Sequence, residues 1–561
     1  MIRYNKFFPE MTEERFERLR TDPYFAKFRE NLISTARDKA QTPPPYVRFT
    51  ELNLFNVNGD RKTFERVYAE YQNRIGMYAM SYLLTEDEFF LPHLADILWS
   101  FCDFETWSLQ AHCNFEDTVA RHEHIDLCAA TDGFNIAQIL YLLEDKLPER
   151  LTRRIHHELR VRIIDAFKNR QYHWYFTTQN NWAAVIASGV FGVYLYEATD
   201  EEIEAQLPVL RRMIDNYLLG FDDEGCCKEG YGYWNYGFSH FCEFAELLRA
   251  YTDGAEDLFK LDKVRAIAHF QENATIDEKH VIPFSDCGTA FSPSTSLTHF
   301  LKKEYPDVVV PEMKLNCSMA DIRFIMWMDA DIKCEKLEQR SHIFRENQWF
   351  IYKSTKYNVA VKAGSNGEFH NHNDVGSFVI SKNNEITLTD LGAAKYCKQY
   401  FSNLRYTFPE SSSRGHSVPI INGIYQNADN DPASRKAKVY TESETEYSFS
   451  MEQNYADETL VSLTRALVCE DDALVLTDTY AFSELPLHIT ERFVSRTAPV
   501  LLEEGRVQIG DSILVYDSEQ LSVKLGGEPS SYRTDGVVDI FYTDLSPKNY
   551  GETMSFTFRF I

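Results

Sequence analysis

The chain has 561 residues, 44% of them hydrophobic and 14% aromatic, which describes a globular protein too long for one ordinary core and suggests two large domains. Its formal net charge of −27 argues against nucleic acid or an anionic membrane surface as a partner. No stretch approaches the ~20 apolar residues that span a bilayer, so no membrane association is expected.

The first residues, Met1-Ile2-Arg3-Tyr4-Asn5-Lys6, lack the apolar core of a signal peptide. A cytoplasmic location is therefore expected, or a secreted or periplasmic one if a leader has been removed. The 11 cysteines are odd in number and scattered, and they include the neighbours Cys226-Cys227. This suits reduced thiols better than a disulfide framework.

After the Pro43-Pro44-Pro45 run the pattern is helical. Phe64, Val67, Tyr68, Tyr71, Ile75 and Tyr78 follow helical spacing, with Thr63 as the expected N-cap. Similar blocks follow at about 89–102, 131–145, 153–167, 182–197, 201–219, 237–252 and 255–270. Many helices with short connections and no fixed repeat period predict an α/α toroid, an incomplete barrel of helical hairpins, over 1–335. From about 340 the period changes to that of strands, at 348–352, 358–361, 377–380 and 385–389, with a hairpin turn at Lys382-Asn383-Asn384. Further strands are expected near 460–469, 473–479, 487–494, 537–542 and 554–560. The fold class is thus multidomain, α then β, with an antiparallel β-sandwich over 336–561.

The segment Glu368 to Phe378 is the most informative. It holds two histidines, two asparagines and an aspartate in the five positions 370–374. Each would need a polar partner if buried. In an extended strand His370 and His372 would point to one face. With Asp390 they form a reasonable zinc set, while the alternative is a hydrogen bond between neighbouring strands. Arg405-Tyr406 and Ser413-Arg414-Gly415-His416 form a further polar cluster. In the helical half stand Gln179-Asn180-Asn181-Trp182 and the run Glu229 to Gly237. An Asn pair at a helix start reads first as a cap, and the aromatic run as core or a sugar-stacking wall. His122-Glu123-His124 looks like a metal motif, but i and i+2 diverge on a helix, so it is read as polar packing.

The succession His370-Asn371-His372-Asn373-Asp374-x-Gly-Ser-Phe, Asp390-x-Gly, Arg405-Tyr406 and His416-x-x-Pro-x-x-Asn-Gly resembles the β-domain signature of the heparinase II/III-like polysaccharide lyases. Asn180-Asn181-Trp182 and Glu229-Gly-x-x-Tyr-Trp-Asn-Tyr236-Gly resemble that family's helical-domain motifs, in the same order. The resemblance implies β-elimination on uronic-acid glycans. Asn181 would neutralise the uronate carboxylate, Tyr236 would protonate the leaving O4 and serve as base on one face, and His370 would be the base on the other. Tyr233 competes with Tyr236 for the tyrosine role, and Asn180 with Asn181.

Arg405, Asn180, Trp182, Tyr233, Trp234 and Glu229 are expected to bind substrate, Arg405 alternatively lowering the tyrosine pKa. His372, Asp390 and His416 match the family's ligands for a structural divalent metal, usually zinc, with Mn2+ or Ca2+ left open. Asn373 and Asp374 are expected to orient the imidazoles. The expected partner is an anionic uronate polysaccharide or oligosaccharide, most simply a glycosaminoglycan; alginate is the alternative. Two readings of other classes stand beside this one. A toroid glycoside hydrolase would use carboxylates such as Asp222, Asp223 and Glu224, and a glycan-binding protein would have no catalysis.

Overall fold

A computed structural model of the chain describes residues 11–113, 121–169, 173–288, 292–312, 315, 321–337, 340–428, 436–531 and 537–561. Two compact units result, and they are not two simple runs of sequence. One comprises Met1–Gly220, Trp234–Ala268 and Pro293–Cys334; the other comprises Phe221–Tyr233, His269–Ser292 and Glu335–Ile561. The second unit therefore takes two segments from within the helical half.

The first unit is made of helices that pack on their chain neighbours, the hairpin half of an α/α toroid. At its centre the helices Leu127–Leu143 and Asn181–Glu197 pack together. Both are apolar on nearly every side, as a helix enclosed by others must be. Their close approach depends on glycine. A Cβ at Gly189 would strike the backbone of Ala130, and one at Gly192 would strike the Phe134 ring.

Helix starts follow cap chemistry. Lys62–Thr85 is not capped by Thr63, which lies inside its first turn. Asp60 does this work, accepting from the Lys62 N–H at 2.9 Å and the Thr63 hydroxyl at 2.6 Å. A carboxylate two residues before the helix offers two acceptor oxygens where a threonine offers one. The Asn180 side chain accepts from the Trp182 N–H at 3.2 Å and caps Asn181–Glu197. No described helix is long and apolar enough to cross a membrane.

Among its described residues the second unit carries three sheets, and the strand pairings in them are antiparallel. A five-stranded meander runs through His342–Phe344, Trp349–Lys353, Asn358–Lys362, Phe378–Lys382 and Glu385–Leu388 in chain order. The expected hairpin closes at Asn383 and Asn384, both left-handed (φ 56° and 58°), the conformation that matches strand twist in a two-residue turn. Leu460–Cys469 and Leu474–Phe482 lie in an eight-stranded sheet, and Ile489–Ser495 and Val537–Pro547 in a four-stranded one. Phe350, Val361, Phe378, Phe449, Leu467, Phe493 and Phe558 share one core.

The segment 368–377 is a loop, not a strand. It joins two adjacent strands of the meander, Asn358–Lys362 and Phe378–Lys382, and turns back at Asp374–Ser377. His370 adopts a left-handed φ of 52°. Residues this polar cannot be spent on a sheet ladder, so the chain leaves the sheet to let their side chains converge.

Candidate active site and metal centre

The second unit gathers its polar side chains around Asp286, a residue that no spacing argument singled out. Its carboxylate is fully buried and accepts from His370 Nδ1 (2.7 Å), His372 Nε2 (3.0 Å), the Tyr400 hydroxyl (2.6 Å), the Tyr396 hydroxyl (3.1 Å) and Arg405 Nη2 (2.9 Å). Burial alone would raise its pKa, but Arg405 and the two imidazoles outweigh this and hold it well below the carboxylate range. The local signal for it was a charged residue inside the otherwise uncharged Pro283-Phe284-Ser285-Asp286-Cys287 turn. His370 and His372 do converge as expected, but on this carboxylate rather than on one strand face.

The His370 ring lies on Tyr233, with centroids 4.0 Å apart, and the Tyr233 hydroxyl is 2.8 Å from that of Tyr396. His370 Nε2 stands 3.5 Å from Glu229 Oε2, beyond hydrogen-bond reach. Arg405 is not free to meet a substrate acid group. It is bound to Asp286, donates twice to the Asn371 carbonyl (3.2 and 3.0 Å) and lies 4.2 Å over the Tyr400 ring. Its charge is consumed by the carboxylate it neutralises.

Beside this hub, His372, Asp390 and His416 meet in full burial, with Asp374 adjacent. The candidate ligand atoms of these four lie within 4.8 Å of one another. His372 Nε2 is fixed by Asp286, and His416 Nε2 by the Glu410 carbonyl at 2.9 Å. Both partners are acceptors, so each Nε2 carries the hydrogen and each Nδ1 keeps its lone pair. His372 Nδ1, His416 Nδ1 and Asp390 Oδ2 are buried without a hydrogen-bond partner. Three unsatisfied ligand atoms of the right type, with both imidazoles anchored from behind, fit a divalent cation, and a His-His-carboxylate set suits zinc.

Burial pushes the His372 imidazole below its ordinary value. Burial opposes charge on His416 too, but Asp390, 3.0 Å away, outweighs it and raises that imidazole. The space that a shared proton would take is one that a cation can take. Asp374 is otherwise engaged, with both oxygens 2.9 Å from buried Lys362 Nζ. The expected orienting role of Asn373 and Asp374 is thus corrected. Asn373 donates to the Gln426 carbonyl at 3.0 Å, and Asp286 and Glu410 orient the rings instead. Among the described residues His122-Glu123-His124 forms no metal group; His124 Nε2 meets the His112 carbonyl at 3.0 Å.

In the helical unit, Asn181 opens its helix and is buried, its Oδ1 without a hydrogen-bond partner. The helix Tyr231–Tyr251 packs closely there, since a Cβ at Gly237 would lie 3.1 Å from that of Asn181 and 2.8 Å from the Tyr217 hydroxyl. Residues distant in sequence, Asn181 and the Tyr236-Gly237 step, are thereby neighbours. Tyr236 is 36% exposed and meets His240 edge-on at 5.2 Å. Trp182 packs between Trp174 and His112, each 4.8 Å away. Trp234 is fully buried and donates to the Ile267 carbonyl at 2.9 Å, so it is core and offers a ligand no surface. Asn180 is a cap, and its acceptor is used.

Two of the three carboxylates of the hydrolase alternative, Asp222 and Glu224, are committed elsewhere. Burial raises Asp222 to about 6, but it accepts from the Cys226 N–H (2.8 Å) and from Asn347 Nδ2 (2.5 Å). Glu224 pairs with Arg345 at 3.1 Å. They fasten the 221–233 segment to the β-rich unit.

Residues 338–484 match the family model "Heparinase II/III-like, C-terminal". No curated protein matches the chain in sequence. Solved structures share its fold at low identity. A structure of heparinase III is 13% identical with a TM-score of 0.65, over 100% of this chain and 92% of that one. Heparan sulfate lyase HepC from Pedobacter heparinus is 11% identical with a TM-score of 0.58, over 99% and 92%. Chondroitin AC lyase from Streptomyces coelicolor A3, solved in complex with chondroitin sulphate, is 10% identical with a TM-score of 0.58, over 98% and 82%.

Proposed function

We propose that this chain, whose residues 338–484 form a heparinase II/III-like C-terminal domain, is a polysaccharide lyase that cleaves uronic-acid glycans by β-elimination, with glycosaminoglycans or their oligosaccharides as substrate class. The observation that carries this reading is the His370 imidazole, anchored through Nδ1 on a buried ionised aspartate, with Nε2 left for proton transfer. That it occurs in a fold shared with heparan sulfate and chondroitin lyases supports the substrate class.

The C5 proton of a uronate is weakly acidic because the neighbouring carboxylate is negative. Asn181, with a buried amide whose Oδ1 has no partner, is the group we assign to neutralise that carboxylate through its N–H donors. His370 Nε2 takes the C5 proton where it and the leaving group lie on opposite faces. Tyr236 gives its proton to O4, and removes the C5 proton where both lie on one face. Tyr236 suits this better than Tyr233, whose hydroxyl is tied to Tyr396 and whose ring supports His370. A zinc ion on His372, Asp390 and His416 would supply rigidity to the loop that presents His370.

The test is far-UV absorbance during incubation with glycosaminoglycans, alginate and their oligosaccharides. Elimination creates a C4=C5 bond conjugated to the carboxylate, and absorbance should rise with the glycosaminoglycans. New reducing ends without that rise would establish hydrolysis instead. Binding without either change would leave a glycan-binding protein.

A further inference from the structure

We propose that Asp286 is a positioning residue that sets the tautomers of two histidines at once: it keeps the lone pair of His370 on Nε2, for proton transfer, and that of His372 on Nδ1, for the metal. The first half rests on the lyase reading only in calling His370 the base; the tautomers themselves follow from geometry.

An ionised carboxylate accepts hydrogen bonds and donates none. Five contacts of Asp286 with described residues fit that rule. Oδ1 takes three donors: His372 Nε2 at 3.0 Å, the Tyr400 hydroxyl at 2.6 Å and Arg405 Nη2 at 2.9 Å. Oδ2 takes His370 Nδ1 at 2.7 Å and the Tyr396 hydroxyl at 3.1 Å. Each imidazole therefore spends its N–H on Asp286 and turns its basic nitrogen the other way. For His372 that nitrogen is the buried Nδ1 without a hydrogen-bond partner, directed at Asp390 and His416.

The backbone is bent to make these contacts. Ser285 (φ 61°) and His370 (φ 52°), one on each side of the Asp286–His370 bond, are both left-handed although neither is glycine. Such conformations persist only where the surroundings over-determine them. Tyr396 and Tyr233 complete the clamp, Tyr396 bonding the carboxylate and Tyr233 lying on the imidazole that the carboxylate holds.

The two oxygens are not equivalent, and this makes Asp286→Asn diagnostic. The amide oxygen will stay where the guanidinium and two other donors converge, at the Oδ1 position. The amide NH2 then faces His370 Nδ1, which must become an acceptor and move its proton to Nε2. His372 keeps its tautomer.

The expected result for D286N is a kcat about 100-fold or more below wild type, KM within about threefold and unchanged zinc content per chain. D286A, which frees both imidazoles, should lose zinc as well, and added formate should restore part of its kcat. Long-range 1H–15N spectra of zinc-loaded, histidine-labelled wild type should show Nδ1–H on His370 and Nε2–H on His372, with signals assigned by their loss in H370Q and H372Q. A kcat for D286N within tenfold of wild type, or Nε2–H on His370 in wild type, would overturn the proposal. If wild type eliminates no glycan, the lyase reading fails, and the spectra decide the tautomers independently. They also decide if the Asp286 variants do not fold.

Discussion

His370 owes its orientation to contacts made by its neighbours, and single substitutions should separate those contacts from chemistry. Tyr236→Phe removes one hydroxyl from a side chain that is 36% exposed and keeps its ring. It should lower kcat by about 100-fold or more on every substrate with an unchanged melting curve; substantial residual turnover would move the role to Tyr233. His370→Ala should harm elimination from iduronate-type units most, which comparison of glucuronate- and iduronate-rich substrates would reveal. His372→Ala removes a proposed ligand and should lower both zinc content by elemental analysis and the melting temperature. An unchanged metal content would refute the assignment.

His156 should contribute to the pH dependence of stability. His156, bonded to Glu197 at 2.5 Å and Glu144 at 3.2 Å, is raised to about 9, chiefly by its hydrogen bond to Glu197. A raised histidine stabilises the fold fully below its unfolded value of about 6.5 and loses that contribution as pH rises through 9. The melting temperature of His156→Gln should therefore lie below wild type at pH 6 and converge on it towards pH 9.5.

At the scale of elements, loops carry the candidate ligands and a buried arginine holds two of those loops. Arg465 is fully buried, pairs with both oxygens of Asp478 (2.9 and 2.6 Å) and donates to the carbonyls of Gly376 (2.7 Å) and Ser417 (2.8 Å). Gly376 ends the loop of His372, and Ser417 follows His416. Arg465→Met would leave Asp478 buried and unpaired, which typically costs about 3–5 kcal/mol. It should depress both the melting temperature and zinc content, although Arg465 is no ligand. In the helical unit, Gly192→Ala places a methyl into the Phe134 ring. Overpacking of this kind costs about 1–3 kcal/mol, measurable by denaturant unfolding.

These elements also mark where pattern reading succeeds and stops. Strands such as Leu460–Cys469 were legible because burial on one face imposes alternation, and the 383–384 turn because paired asparagines tolerate left-handed backbone. That 368–377 is a loop was not legible, because His-x-His alternation is equally compatible with a strand.

For the whole molecule, a net charge of −27 sets an electrostatic condition on any polyanionic substrate. Raising ionic strength from about 10 mM to about 150 mM shortens the screening length from about 30 Å to about 8 Å. If the field of the whole protein dominates encounter, kcat/KM on an anionic oligosaccharide should rise several-fold over that range. A fall would mean that local cationic groups dominate.

The sequence by itself determined the change from helix to strand and most strand and helix positions, because these depend on local periodicity, and its short motifs singled out His372, Asp390 and His416, which lie together in the buried group that could hold a metal. Only the tertiary structure decided what those residues touch. It brought Asp286 from a distant segment to the two histidines, bound Arg405 to that aspartate, buried Trp234, set Asn181 against Gly237 and assigned the orienting of the imidazoles to Asp286 and Glu410. These outcomes depend on contacts between segments far apart in the chain, where a single buried charge takes its partners by position rather than by spacing.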